Sequence, residues 1–354
     1  MNLPPPEIHS CATDDQSTIL LTHYRGGKKG PVMVVHGGSA ASTMFAIPTI
    51  KKNFARYLCD NGYDVWLLDW RASIHLPLQL FTFDEVAKYD FPAAVKFILE
   101  KTGARSIQAV VHCIGSIAFF MSVAAGHIPA GQVRCIAASQ VALHPHVGSV
   151  MKWKARIRLA AQLAKRGITE VSPEADPMYP IFSTALGLWV NAVHKECSST
   201  ICHRLTFMFG HPFRHEKLNV DTHNRLNEQF GPINIRILMH AEQLIDRGYL
   251  ASFDYGLEKN LEEYGTEEPP SYLSKPANFK NIRIKLISGE LNQLFVPVST
   301  SLTWKWLLQQ NPNGMYSRDI VKGYGHWDNF AGARANEECY PKYLDLLEEC
   351  GDKA

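Results

Sequence analysis

Along the first 145 residues, short apolar runs alternate with longer stretches in which apolar positions recur at helical spacing. ILLTHY (19–24), PVMVVHGG (31–38), DVWLLDW (64–70), SIQAVVH (106–112) and VRCIAASQVALH (133–144) read as strands. Between them, KKNFARYLCDNGY, FDEVAKYDFPAAVKFILEKTG and IAFFMSVAAG read as helices, the second with its start marked by Thr82 or Asp84. Nearly continuous apolar strands separated by helices imply an α/β fold, a mostly parallel sheet with helices on both faces. From about residue 146 to 275 the alternation stops and the chain turns helical and mixed. It resumes with IRIKLISG (282–289), TSLTWKWLLQQN, MYSRDIVKG (315–323) and ECYPKYLDLLEEC. The expected organisation is a core of residues 1–145 and 276–354, interrupted after the sixth strand by a helical lid or cap at 146–275.

Composition narrows the class. A hydrophobic share of 46% with 20% charged residues is ordinary for a globular protein. A net charge of +2 argues against a dedicated nucleic-acid surface. No apolar run reaches the roughly 18 residues that a membrane-spanning helix needs. MNLPPPEIHSCATDD lacks both the basic start and the apolar core of a secretion signal, which predicts a cytoplasmic protein. The eight cysteines are scattered and read as reduced thiols, with Cys197 and Cys202 close enough in sequence to pair or to cap a loop.

The candidate chemistry centres on SIQAVVHCIGS (106–116). A strand runs straight into Cys113, Gly115 follows two positions later, and a helix begins. This is the layout of the nucleophile elbow of α/β-hydrolases, with Cys in place of Ser and Val111 in place of the first Gly. Such a turn lifts the side chain above the sheet edge and aims the next N–H, on Ile114, at a developing oxyanion. His36-Gly37-Gly38 closes the third strand, where a second oxyanion N–H is expected from Gly38, with Gly37 or Ser39 as alternatives. His326, in GYGHWD after the last strand, is the expected base. The slot for the orienting acid, three after Gly289, holds Asn292, whose amide oxygen can accept from an imidazole N–H; Glu290 competes for that role. Cys, His and Asn form the papain-type set. His112 reads as packing support beside the nucleophile.

Other side chains point less sharply. His203, His211, His215, His223 and His240 fall in the insertion, but Pro212 interrupts HPFRH and no nearby Cys or carboxylate pair completes a set, so no metal is expected. KWKARIRLAAQLAKRG (152–167) reads as a solvated amphipathic helix of the lid. Trp189, Phe207, Met208, Phe209 and Phe213 suggest an apolar acyl pocket.

Five blocks together resemble a known group: MFAIPTI (44–50), GYDVWLLDWRAS (62–73), VVHCIGS (110–116), LTFMFGHPFRHEKLN (205–219) and GYGHWD (323–328). They are similar to the α/β-hydrolase domain fused to, or encoded beside, cholesterol-oxidase-like GMC flavin oxidoreductases, over roughly residues 20–345. The resemblance implies an α/β-hydrolase fold and a functional association with an oxidoreductase. The chain has no G-x-G-x-x-G, so no flavin and no other cofactor is expected. The elbow cysteine is also similar to that of polyhydroxyalkanoate synthases, a likeness confined to the elbow, the oxyanion turn and the terminal His. The function expected is a cysteine-nucleophile hydrolase of an ester, thioester or lactone with a bulky apolar acyl part. An acyltransferase or cyclase is the second reading, and a non-catalytic binding protein that kept the fold is the third.

Overall fold

Met33 and Val35 face one side of the central sheet, and Val32 and Val34 the other; all four are fully buried. Because side chains alternate along a strand, that pattern requires a layer of structure on each face. The computed structural model, which describes residues 3–174 and 196–351, supplies both layers. The helices Phe91–Thr102, Cys113–Ala125 and Val298–Gln310 cover one face, and Phe54–Asp60 and Tyr340–Glu349 the other.

The strands are β1 (Glu7–Ala12), β2 (Thr18–Tyr24), β3 (Pro31–Val35), β4 (Asp64–Asp69), β5 (Ile107–His112), β6 (Val133–Ser139), the short β7 (Glu170–Val171) and β8 (Ile233–Asn234), β9 (Arg283–Gly289) and β10 (Tyr316–Val321). The main sheet runs β1-β2-β4-β3-β5-β6-β9-β10. From β4 onward every pairing is parallel, while β1–β2 and β2–β4 are antiparallel. Strand β1, with a polar-rich EIHSCA sequence, is an edge strand that the apolar pattern did not announce. All the expected core strands are present. The helix expected after Thr82 begins there, with Thr82 and Glu85 forming a reciprocal capping box.

Between β6 and β9 lie the described parts of the insertion. Its pieces are joined to one another by the β7–β8 pair and to the core by a bridge between Ala40 and Phe230. The helix Ile235–Arg247, capped by Asn234, is the longest described helix of the segment. The basic stretch 152–167 is not one solvated helix. It breaks at Arg158, whose φ is 52°, into Ser149–Arg156 and Leu159–Lys165. Lys154 is buried, bonded to the Phe207 carbonyl and set 4.1 Å over the Phe207 ring, and burial draws its pKa down to about 8. Among the described residues no helix is long and apolar enough to cross a membrane.

Candidate active site

Strand β5 ends at His112 with extended backbone, and Cys113 follows at φ 58° as the first residue of its helix. A non-glycine residue in that left-handed region costs of order 1–3 kcal/mol and persists only where its surroundings enforce it. Gly115 is what lets the turn close: a Cβ there would come 2.1 Å from the His36 carbonyl oxygen. The result is a half-buried cysteine at the carboxyl edge of the sheet, where open α/β sheets place their ligands.

Burial pushes the Cys113 thiol up to about 11, and the N–H groups of Ile114 and Gly38, which bond to the sulfur, oppose that rise. These are the two amides anticipated from the sequence. The loop carrying Gly38 is anchored from below. Ser42 donates its N–H and hydroxyl to buried Asp69 (2.8 and 2.6 Å), and Trp70 Nε1 donates to the His36 carbonyl (3.1 Å). The Ser39 hydroxyl turns away to the Gly231 carbonyl.

His326 sits in the loop after β10, and one donor atom from each of His112, Cys113 and His326 lies within 4.8 Å of the other two. Neither ring nitrogen of His326 has a hydrogen-bond partner among the described residues. Burial without a compensating charge takes its pKa down to about 3. Neither expected orienter reaches the ring. Asn292 Oδ1 accepts the N–H groups of Leu294 and Phe295 (3.0 and 3.2 Å), and its Nδ2 donates to Gln140 Oε1 (2.8 Å). Glu290 is exposed and accepts from the Gly323 N–H at 3.0 Å. Asn292 therefore caps its own loop, as short amide side chains do in turns.

The link between these loops is a residue that sequence reasoning missed. Gln140 follows β6 at φ 80°, fully buried. Its Nε2 donates to the His326 carbonyl (3.1 Å), and its Oε1 accepts from the Gly289 N–H (3.0 Å) as well as from Asn292. The one signal was a polar residue inside the apolar run 133–144, which the structure ends as a strand at Ser139. His112 is also wired in: its Nδ1 meets Ser139 Oγ at 3.0 Å, and the Tyr343 hydroxyl donates to the same oxygen at 3.0 Å. Ser139 then has its own proton to give Nδ1, leaving the His112 ring proton on Nε2. Its ring centroid is 4.7 Å from that of His326.

Above Cys113 and His326 opens a pocket of about 810 Å³ with its open mouth included. Its walls are apolar. Met44 and Ile114 come from the core, while Phe209, Phe230 and Ile237 come from the insertion. Of the aromatic and methionine residues expected there, Phe209 lines the pocket, Phe207, Met208 and Phe213 do not, and Trp189 lies outside the described residues.

No protein-family model matches the chain. It is 26% identical over 369 residues to Lipase member K of Mus musculus, covering 98% of this chain and 88% of that one. To the gastric triacylglycerol lipase of Rattus norvegicus it is 25% identical, covering 91% of this chain and 81% of the relative. Among solved structures, a soluble variant of the monoglyceride lipase of Saccharomyces cerevisiae superposes with a TM-score of 0.63 at 13% identity, covering 100% and 97% of the two chains. The monoacylglycerol lipase of Paleococcus ferrophilus gives 0.56 at 15% identity, covering 94% and 99%. The chain has the α/β-hydrolase fold.

In this α/β-hydrolase fold, the elbow, the turn carrying Gly38 and the histidine loop converge on Cys113, while the acid-slot loop makes no hydrogen bond to the ring. A second cluster departs from expectation altogether. The ligand atoms of Cys197, Cys202, His215 and His223 all lie within 4.8 Å of one another. The expectation that no cysteine completes the insertion's histidines is thereby corrected. The helix Thr200–Phe209 and the reversal after it carry His215 and His223 back beside the two cysteines. His211 stays outside the group.

Proposed function

We propose that the chain is a hydrolase that cleaves an ester with an apolar acyl part through a thioester on Cys113. What carries this reading is the Cys113 sulfur at the base of an apolar pocket, facing the N–H groups of Ile114 and Gly38, with His326 alongside. The ester hydrolases among its relatives support the reaction class.

In the proposed sequence His326 takes the Sγ–H proton as sulfur attacks the ester carbonyl carbon. The N–H groups of Ile114 and Gly38 hold the oxyanion. Collapse breaks the carbon–oxygen bond, and the alcohol departs with the proton from His326. Water then adds to the thioester and gives a proton to His326. The second collapse expels sulfur, which recovers that proton, and releases the acid. His326 acts here as a neutral general base, since a thiol near 11 and an imidazole near 3 do not exchange a proton at rest. Asn292 is a positioning residue in this scheme, acting through Gln140 on the His326 backbone.

A second reading is favoured by the walls of the pocket, whose apolar side chains suit an acceptor alcohol as well as an acyl chain. A thioester stays reactive toward such an acceptor, and adding alcohols to the assay separates transfer from hydrolysis by product. The resemblance to hydrolase domains accompanying GMC oxidoreductases adds the proposal of a cytoplasmic role beside a flavin oxidoreductase, testable by co-purification.

The test is intact-mass analysis after exposure to p-nitrophenyl esters of increasing acyl length. An acyl adduct mapped to Cys113, and loss of adduct and turnover together in Cys113→Ala, is the expected result. Turnover that survives in Cys113→Ala overturns the proposal.

A further inference from the structure

We propose that Cys197, Cys202, His215 and His223 form a structural zinc site that braces the strap of the insertion packed against the loop carrying His326. Two thiolates and two imidazoles are a common closed zinc set, with Zn–S near ~2.3 Å and Zn–N near ~2.0–2.1 Å. Tetrahedral geometry then separates the ligand atoms by roughly 3.3–3.8 Å. The donor atoms here all fall within 4.8 Å of one another, and Cys202 Sγ is 3.3 Å from His215 Nε2. Small rotations of four side chains close the remainder.

A second observation points the same way. His215 meets the cysteine through Nε2, while its Nδ1 lies 2.5 Å from the Glu196 carboxylate. Zinc-bound histidines commonly have a carboxylate beside the far nitrogen. His223 Nε2 is buried and has no hydrogen-bond partner among the described residues. The spacing is C-x4-C-x12-H-x7-H, which departs from zinc-finger spacing only in its last interval. An ordinary polar cluster gains nothing from a buried thiol and two histidines crowded together, whereas a divalent cation draws all four.

The site has a mechanical consequence. The strap 212–217 that carries His215 runs along the histidine loop. Trp327 donates its N–H to the Pro212 carbonyl (2.8 Å), and Ala333 donates to the Lys217 carbonyl (2.8 Å). The Phe213 ring contacts His215, His223 and Trp327, with centroids 5.2, 6.0 and 5.9 Å away. Phe209 and Pro212 themselves line the pocket. Zinc would replace the two thiol protons, which leave to solvent, so affinity should weaken as pH falls.

The test is metal analysis of the full chain purified under reducing conditions without chelator. The expected result is about one zinc per chain, as a closed four-ligand site requires. It should be lost in both Cys202→Ser and His223→Ala, and retained in Cys113→Ala, which removes the other thiol close to two histidines. Cobalt exchanged into the wild-type protein needs no variant to fold. It should show a thiolate-to-cobalt charge-transfer band and the visible bands of a tetrahedral ion. Chelation should lower the melting temperature and zinc should restore it. Failure of the reduced protein to bind either ion overturns the proposal. So does an intact mass short of two hydrogens with a Cys197–Cys202 disulfide in its peptide map, or zinc retained in the Cys202→Ser variant.

Discussion

A papain-type ion pair between Cys113 and His326 should be absent at neutral pH, and the alkylation of Cys113 across pH tests this directly. Burial lifts the thiol to about 11 and lowers the imidazole to about 3. At about 1.4 kcal/mol per unit, that gap opposes proton transfer by about 11 kcal/mol. Attraction between the two charges at about 4 Å returns only about 4 kcal/mol at an effective dielectric of about 20. The neutral pair therefore wins by about 7 kcal/mol. At pH 7 a thiol near 11 is about 10⁻⁴ ionised, roughly a hundredfold less than one at its ordinary value near 9.

The measurement is the iodoacetamide rate at Cys113, resolved by peptide mapping because several other cysteines are also partly exposed. The rate should climb about tenfold per pH unit up to roughly pH 11, because the thiolate is the nucleophile. His326→Ala should leave that profile nearly unchanged while lowering ester turnover by about 10²–10⁴, the usual worth of a general base. A rate plateau between about pH 5 and 7 that vanishes in His326→Ala would refute the reasoning, since only a thiolate–imidazolium pair produces it.

Three further predictions follow from the same geometry. Asn292→Asp restores the carboxylate but loses the donor to Gln140, setting two acceptors face to face; stability should fall by about 1–3 kcal/mol in urea titration with no gain in kcat, and a rise in kcat would show that Asn292 addresses the ring after all. Asp328 is fully buried and desolvation raises its pKa to about 7, so its contribution to stability is present below its ordinary 3.8 and lost as pH rises through 7. Relative to wild type, Asp328→Asn should thus gain about 3 kcal/mol of stability between pH 5 and pH 8, read as crossing melting-temperature curves; parallel curves would contradict it. Gly115→Ala forces a Cβ to 2.1 Å from the His36 carbonyl and should destabilise by about 3 kcal/mol with loss of turnover; a wild-type melting temperature would mean the elbow has room that the geometry denies.

What was legible in the chain was what local pattern controls. Apolar runs marked the strands of the main sheet from β2 onward, most plainly β3 and β5, which are buried on both faces, whereas edge strand β1 alternates and escaped, as did the two-residue β7 and β8. The elbow was legible because its pattern is local, with Gly115 two residues after Cys113, although the close contact that demands a glycine there comes from the distant His36 carbonyl. Side-chain direction was not legible. Asn292 holds the acid slot in sequence, but two N–H groups of its own loop and the Gln140 oxygen claim its amide. The cysteine–histidine cluster was invisible for the opposite reason, since its members lie on separate elements that only the insertion's chain reversal brings together.

The two departures from a serine–histidine–aspartate pattern then share a physical cause. A serine nucleophile at such a dry site needs a carboxylate to stabilise the imidazolium it creates, and the buried slot at 292 offers a carboxylate no cation among its contacts. A thiol gives up its proton more easily than a hydroxyl, so in the proposed reaction a neutral imidazole held only by its backbone would suffice as base. If Cys113 is the nucleophile as proposed, an uncharged residue at 292 removes a desolvation penalty without removing a step. On the proposed mechanism the Gln140 bond to the His326 carbonyl, which leaves the ring alone, supplies the positioning such a site would still require, without charge.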